Sequence, residues 1–294
     1  MALLNVSGKY KRAVVPGLCL AILLGGCVSG PQRLDVCPGK PSAEAALRTL
    51  AVSAGNAVSL RANGQALLNY HVPDKEKAER HNLPMKMWFS PPADIYIQGS
   101  IAVDPRAVVI GSNEEQFWLA LRPREISSYY IGAWENARDF DGLMMSPRVV
   151  LEALGIVAEP GDEPNAAQWT LANEGAYDVL TRRDETGQII KRVYVYACDY
   201  VTHKIEYFDR RGNVAATAEL RNYELVAEGF RMPTAIRVVS VRPDGRKDSI
   251  DIDIQSTKVM ELNEQQRQFL FQPPAADKFE HVYRYEESRW VPER

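Results

Sequence analysis

Lys247-Asp-Ser-Ile-Asp-Ile-Asp-Ile-Gln-Ser256 decides the fold class. Ile250, Ile252 and Ile254 alternate with Asp251, Asp253 and Gln255. A period of two puts one set on each face of an extended chain, so this is a strand with one apolar and one wet face. Thr234–Val241 precedes it across Pro243-Asp-Gly245, a turn signal, so the two form a hairpin. The same grammar recurs upstream. Lys204–Phe208 and Val214–Leu225 flank Asp209-Arg-Arg-Gly-Asn213, and Gly175–Arg183 and Gln188–Cys198 flank Asp184-Glu-Thr-Gly187. The C-terminal half therefore reads as a meander of antiparallel hairpins.

Strands also dominate the N-terminal half. In Val58–Leu68, the side chains of Val58, Leu60, Ala62, Ala66 and Leu68 share one face, with Ser59, Arg61, Asn63 and Gln65 on the other. Met85–Phe89, Asp94–Gln98, Ala107–Ile110, Gln116–Leu121 and Ser127–Ile131 follow at short spacing. Two stretches carry helical spacing instead. Ser42 is an N-cap for Ala43–Ala54, with Ala46, Leu47, Leu50 and Ala54 on one face; Ser146-Pro147 opens a second helix that ends at Gly155. An acidic loop with two prolines spans Glu159–Asn165. The expectation is a mainly β fold of about ten or eleven antiparallel strands in one curved sheet, with a few helices.

The first 26 residues stand apart. Lys9, Lys11 and Arg12 precede an apolar run from Ala13 to Leu24, too short for the roughly 20 residues of a membrane-spanning helix. Basic then briefly apolar is the pattern of a secretory signal. The run ends in Leu24-Gly25-Gly26-Cys27, which resembles a bacterial lipobox at every position. That resemblance implies cleavage before Cys27 and diacylglycerol on its thiol. Two or three acyl chains hold a protein on a membrane where one is marginal. Residues 27–41, with Gly30, Pro31, Pro38, Gly39 and Pro41, read as a lipidated tether.

Composition removes several function classes. The 294 residues are 46% hydrophobic and 25% charged, and the net charge of −3 offers no basic excess for a phosphate backbone. Nucleic acid is not an expected partner. Cys19 leaves with the signal and Cys27 takes the lipid, so Cys37 and Cys198 remain and either pair or stay separate thiols. The four histidines are scattered, and no metal-binding or cofactor fingerprint occurs. No nucleophile elbow or phosphate loop occurs either. Asp251 and Asp253 share a strand face as a glycosidase pair might, but solvated strands carry such pairs routinely. No catalytic residue, metal or cofactor is expected. Trp134, with Tyr129 and Tyr130 just before it, marks either a binding rim or core.

The order of the pieces resembles a known family. A helix precedes a long strand with Ala62-Asn-Gly-Gln65. Then come Phe89-Ser-Pro-Pro-Ala-Asp-Ile-Tyr-Ile97, the strand Ser112–Leu121 ending at Arg122-Pro123, His203–Asn213, Asn222–Val238 and Val259–Pro274. From Ser42 to Pro274 this is similar to the LolA/LolB-like superfamily of periplasmic lipoprotein carriers. The resemblance implies an incomplete antiparallel β-barrel closed by helices over an apolar cavity that takes acyl chains. Residues 275–294 would then be a C-terminal tail. Val28 after the cysteine, rather than aspartate, implies the outer membrane facing the periplasm.

Alternation nominates the cavity lining: Leu60, Ala62, Leu68, Met85, Met87, Phe89, Ile95, Ile97, Phe117, Leu119 and Leu121. Methionines suit an adaptable lipid site, although the same stripes also build a filled core. The leading expectation is a non-enzymatic, membrane-anchored carrier or receptor for a lipid or lipoprotein acyl chain. The alternative is an envelope sensor or assembly lipoprotein that binds a protein partner with the same fold.

Overall fold

The computed structural model describes residues 34–71, 77–102, 104–123, 127–136, 149, 152–154, 168–242, 244–286 and 289–293. The expected signal peptide, Cys27, the start of the expected tether and the acidic loop 159–165 lie outside them. The fold lies within the unit Asp35–Arg294. No helix among the described residues is long and apolar enough to cross a membrane.

Each alternating stretch forms a strand. In chain order these are β1 Leu60–Tyr70, β2 Glu79–Ser90, β3 Asp94–Ile101, β4 Asp104–Ser112, β5 Gln116–Leu121, β6 Ser128–Ala133, β7 Trp169–Glu174, β8 Tyr177–Arg183, β9 Ile189–Tyr196, β10 Val201–Phe208, β11 Val214–Ala227, β12 Phe230–Val241, β13 Lys247–Val259, β14 His281–Glu286 and β15 Arg289–Pro292. They make one 15-stranded sheet in the order β15-β14-β6-β5-β4-β3-β2-β1-β13-β12-β11-β10-β9-β8-β7. The expected ten or eleven strands are corrected to fifteen. The sheet does not close: β15 and β7 are its edges. Neighbours run antiparallel except β14 and β6, which are parallel.

Two meanders are joined by β1, which pairs with β2 on one side and β13 on the other. Its register on β13 shifts between Asn63 and Gly64. A Cβ at position 64 would lie 2.0 Å from the Asp253 carbonyl oxygen, so this bulge admits only glycine. In the hairpin turns Gly187 and Gly212 take φ of 86° and 79°, the left-handed region their turns require.

The inner face carries the main core. Leu60, Ala62, Met85, Phe89, Ile97, Ile252 and Ile254 from the centre of the sheet join Leu180, Val195, Ile205, Leu220 and Ile236 from its other half. Helix α1, Ala43–Gly55, lies on this face and buries Ala46 and Leu47. Val149 and Ala153 are helical, as expected of the second helix, and pack into the same cluster. Helix α2, Glu264–Leu270, was not expected from periodicity and buries no residue. Its Arg267 instead holds the β2–β3 turn, 2.6 Å from Asp94 and 3.0 Å from the Ser90 hydroxyl.

The C-terminal stretch is no loose tail. Strand β14 extends the sheet, and Phe279 and Val282 cover an outer-face cluster of Val109, Trp118, Ala120 and Tyr129. The β4–β6 segment is therefore buried on both faces.

Candidate functional site

Helix α1 is fastened at both ends and lightly held between. Ser42 caps it, its hydroxyl accepting from the Ala45 amide at 3.2 Å. Just before the cap, residues 37–40 are docked rather than free, which shortens the expected tether. Cys37 is disulfide-bonded to Cys198, 161 positions away. The Lys40 amide donates to buried Asp178 at 2.8 Å, and the same carboxylate accepts from Asn173 at 2.6 Å and from the Tyr200 hydroxyl at 3.1 Å. A Cβ on Gly39 would fall 2.1 Å from both Asn173 and Asp178. At the other end Asn56 Nδ2 donates to the Gly229 carbonyl at 3.3 Å.

Between these points α1 turns Leu47, Leu50 and Ala54 towards the sheet and leaves Val52 exposed. Spacings of three and four put the first three on one helical face. Beneath them lies a cavity of about 70 Å³. Trp169, Leu180, Val193, Val201 and Ile205 from β7 to β10 form the apolar part of its sheet wall. Thr202, Tyr200, Tyr223 and Arg231 also border it. The Tyr223 hydroxyl donates to the Thr202 carbonyl at 2.5 Å, and burial pushes its pKa well up. Burial, and then the Asp178 charge, pushes Tyr200 up likewise, so both phenols stay neutral.

One charged pair interrupts this wall. Lys191 Nζ lies 2.9 Å from Glu152 Oε2, with the side chains only 7% and 4% exposed. The Tyr207 hydroxyl donates to the same oxygen. Sequence reasoning missed both charges, although a signal was present. Lys191 sits in the apolar phase of β9, between Ile189 and Val193. Glu152 lies three residues after Val149, on the apolar side of its helix.

The alternation-derived residues are elsewhere. Leu60, Ala62, Leu68, Met85, Met87, Phe89, Ile95, Ile97 and Leu119 are buried in the inner-face core, with Leu121 packed against it. Phe117 belongs to a separate cluster with Tyr285, Trp134 and Trp290. Gly132, opposite Phe117, has no side chain, and Tyr285 fills that place with ring centroids 6.2 Å apart. None of the eleven lines the cavity under α1. Trp134 is half-buried at the edge of the core: it packs on Phe117 at 4.8 Å and its Nε1 donates to the Asn113 carbonyl. Tyr129 is buried against Phe279.

A second depression, about 220 Å³, lies on the outer face beside Gln65, Leu67 and Asn82. It is larger, but Arg237, Arg221, Asp251 and Asp253 border it. Arg237 lies 3.5 Å from Asp251, on exposed side chains, as expected of a solvated strand face. Among the described residues no cluster of His, Cys, Asp and Glu has the makings of a metal site.

Solved structures share this architecture. A domain from Vibrio parahaemolyticus described as a putative outer membrane lipoprotein-sorting protein superposes with a TM-score of 0.51 at 12% identity, over 78% of this chain and 100% of that one. The two chains share a fold. A LolA superfamily protein from Nitrosomonas europaea gives a TM-score of 0.47 at 13% identity, over 80% of this chain and 99% of that one. A DUF1329 family protein from Desulfovibrio piger gives 0.49 at 12% identity, over 78% and 98%. No protein-family profile and no curated protein sequence matches the chain. At these identities the likeness concerns the fold alone.

Proposed function

We propose that this LolA-like chain is a lipoprotein, anchored through lipid on Cys27, that binds a lipid or lipoprotein acyl chain between α1 and the inner face of its half-barrel. It works as a carrier or receptor and makes or breaks no covalent bond. The observation that carries the reading is the cavity beneath α1, where Leu47, Leu50 and Ala54 of the helix face Trp169, Leu180, Val193, Val201 and Ile205 of the sheet.

Magnitudes favour an opening helix over a ready-made pocket. Ligand sites of drug size run to about 300–1,000 Å³, so a cavity of about 70 Å³ holds no acyl chain while α1 is seated. Lifting α1 exposes Ala46, Leu47 and part of Leu50, at about 1.5–3 kcal/mol per fully buried leucine and less for the alanine. About ten acyl methylenes taking their place return roughly 8 kcal/mol. The exchange is favourable with a few kcal/mol to spare for ordering the chain.

A photoreactive fatty acid should therefore label the full-length protein saturably, and unlabelled fatty acid should compete. Absence of competition would favour the reading in which this fold binds a protein partner. Anchoring is tested separately. Cys27→Ala should accumulate as unprocessed precursor or as a soluble form, and fractionation identical to wild type would contradict lipidation. Placement in the outer membrane, facing the periplasm, follows from Val28 only where the usual Gram-negative sorting rule applies.

A further inference from the structure

The outer face of the sheet carries its charges unevenly. Over β10–β13 the cations are matched: Arg237 lies 3.5 Å from Asp251, Lys204 2.9 Å from Glu206 and Arg221 3.9 Å from Glu219. Around β1 the pattern changes. Register sets Lys258, Arg61, Trp88 and Tyr96 side by side across β13, β1, β2 and β3, with Ser256, Asn63, Lys86 and Gln98 in the next row. These two rows hold three cations and no carboxylate. Among the described residues Arg61, Lys86 and Lys258 make no ion pair. Arg61 reaches a neutral amide instead, Asn63 Oδ1 at 3.4 Å, and Asn63 donates in turn to the Ser256 hydroxyl at 3.2 Å.

Aromatic rings share the same rows. The Arg61 guanidinium stands over the Trp88 ring, 5.6 Å from its centroid, and Trp88 tilts against Tyr96 at 5.8 Å. Both rings are half-buried. Half-buried Trp and Tyr beside basic side chains suit the headgroup level of a bilayer, where one part of the ring is apolar and the other wet.

We propose that these rows form a docking surface for an anionic phospholipid leaflet, with lipid phosphates meeting Arg61, Lys86 and Lys258. The inference goes beyond the carrier reading and uses no part of the cavity; it relies on the Cys27 anchor only for nearness to a membrane. Charge complementarity carries it, and magnitudes say what it can do. One basic residue close to an anionic surface is worth about fivefold in binding. Three give roughly a hundredfold, too little to recruit a chain of net charge −3 but enough to hold one face of an anchored chain against the leaflet. Charges elsewhere on the chain weigh little there, because screening limits their reach to about 8 Å at physiological salt.

The test puts an environment-sensitive nitrobenzoxadiazole probe on Ser256→Cys in the full-length protein, reconstituted into vesicles. A second preparation carries the probe on Thr170→Cys, an exposed position of β7, seven strands away. On vesicles of phosphatidylcholine mixed with phosphatidylglycerol, the Ser256 probe should brighten and shift to the blue. On phosphatidylcholine alone it should not, and the Thr170 probe should respond to neither. Lys86 and Lys258 are exposed, so Lys86→Gln/Lys258→Gln leaves the fold intact. It should lower the ratio of docked to undocked probe at least about tenfold. Equal response to the two vesicles, or none, overturns the inference and leaves anchoring standing. So does a Thr170 response as large as that of Ser256, or a response unchanged in the double variant. Response to native envelope vesicles but to neither synthetic one overturns it in favour of a protein partner. Flotation with the vesicles reports anchoring independently, and a chain that floats with neither overturns both.

Discussion

Leu119→Glu should unfold the domain, or lower its melting temperature by more than about 15 °C. Leu119 is 1% exposed, pairs across the sheet with Ile110 and Tyr130, and belongs to the inner-face core. A glutamate there escapes an unpaired buried charge only by staying protonated. Holding a group of reference pKa about 4.3 neutral at pH 7 costs roughly 3.7 kcal/mol, and the lost leucine burial adds about 1.5–3 kcal/mol. The sum of about 5–7 kcal/mol rivals the roughly 5–15 kcal/mol stability of a typical protein. The sign of its pH dependence follows. The introduced carboxyl has a folded-state pKa raised above its unfolded value, so the penalty is smallest below about pH 4.3 and grows as pH rises. Circular dichroism melts across pH check both. A variant as stable as wild type at pH 7 would mean that this face is a wet groove.

Cys37→Ser should cost about 2–4 kcal/mol and lower the melting temperature by roughly 5–15 °C. The bond to Cys198 closes a loop of 161 positions, long enough for the unfolded chain to gain substantially when it opens. Native contacts survive the substitution, because Lys40 still meets Asp178 and Ser42 still caps α1. The domain should therefore remain folded at room temperature, with faster hydrogen exchange in the first turn of α1. Calorimetry with and without reductant gives the comparison, and reduced wild type should match the variant. A melting temperature unaffected by either would contradict the pairing.

What was legible in the sequence was local. Ile250, Ile252 and Ile254 announce β13 because a half-buried antiparallel strand writes its two faces alternately, and every such stretch became a strand. What was missed depends on distant partners. Strand β7 is an edge with one neighbour and exposed residues at its end, so little burial is recorded in Trp169–Glu174. Strand β14 pairs in parallel with β6, some 150 positions away, and no turn signal announces such a partner. The candidate site was less legible than the fold. Alternation separates inner from outer faces but not a filled stretch of inner face from a hollow one. Phe89 and Val193 carry the same signal, yet only Val193 meets the space under α1. The distinction comes from where one short helix happens to land. The clearest trace was an anomaly, Lys191 in an apolar phase, and anomalies of that kind point to sites better than apolar stripes do.

If an acyl chain lies beneath α1, the sites labelled by a diazirine-bearing fatty acid will show it. After irradiation and proteolysis, adducts should fall on Leu47 and Leu50 of α1 and on the facing Leu180, Val193 and Ile205. Competing unlabelled fatty acid should remove them. Adducts confined to the outer face around Leu67 and Asn82, or spread over the surface without competition, would contradict the account.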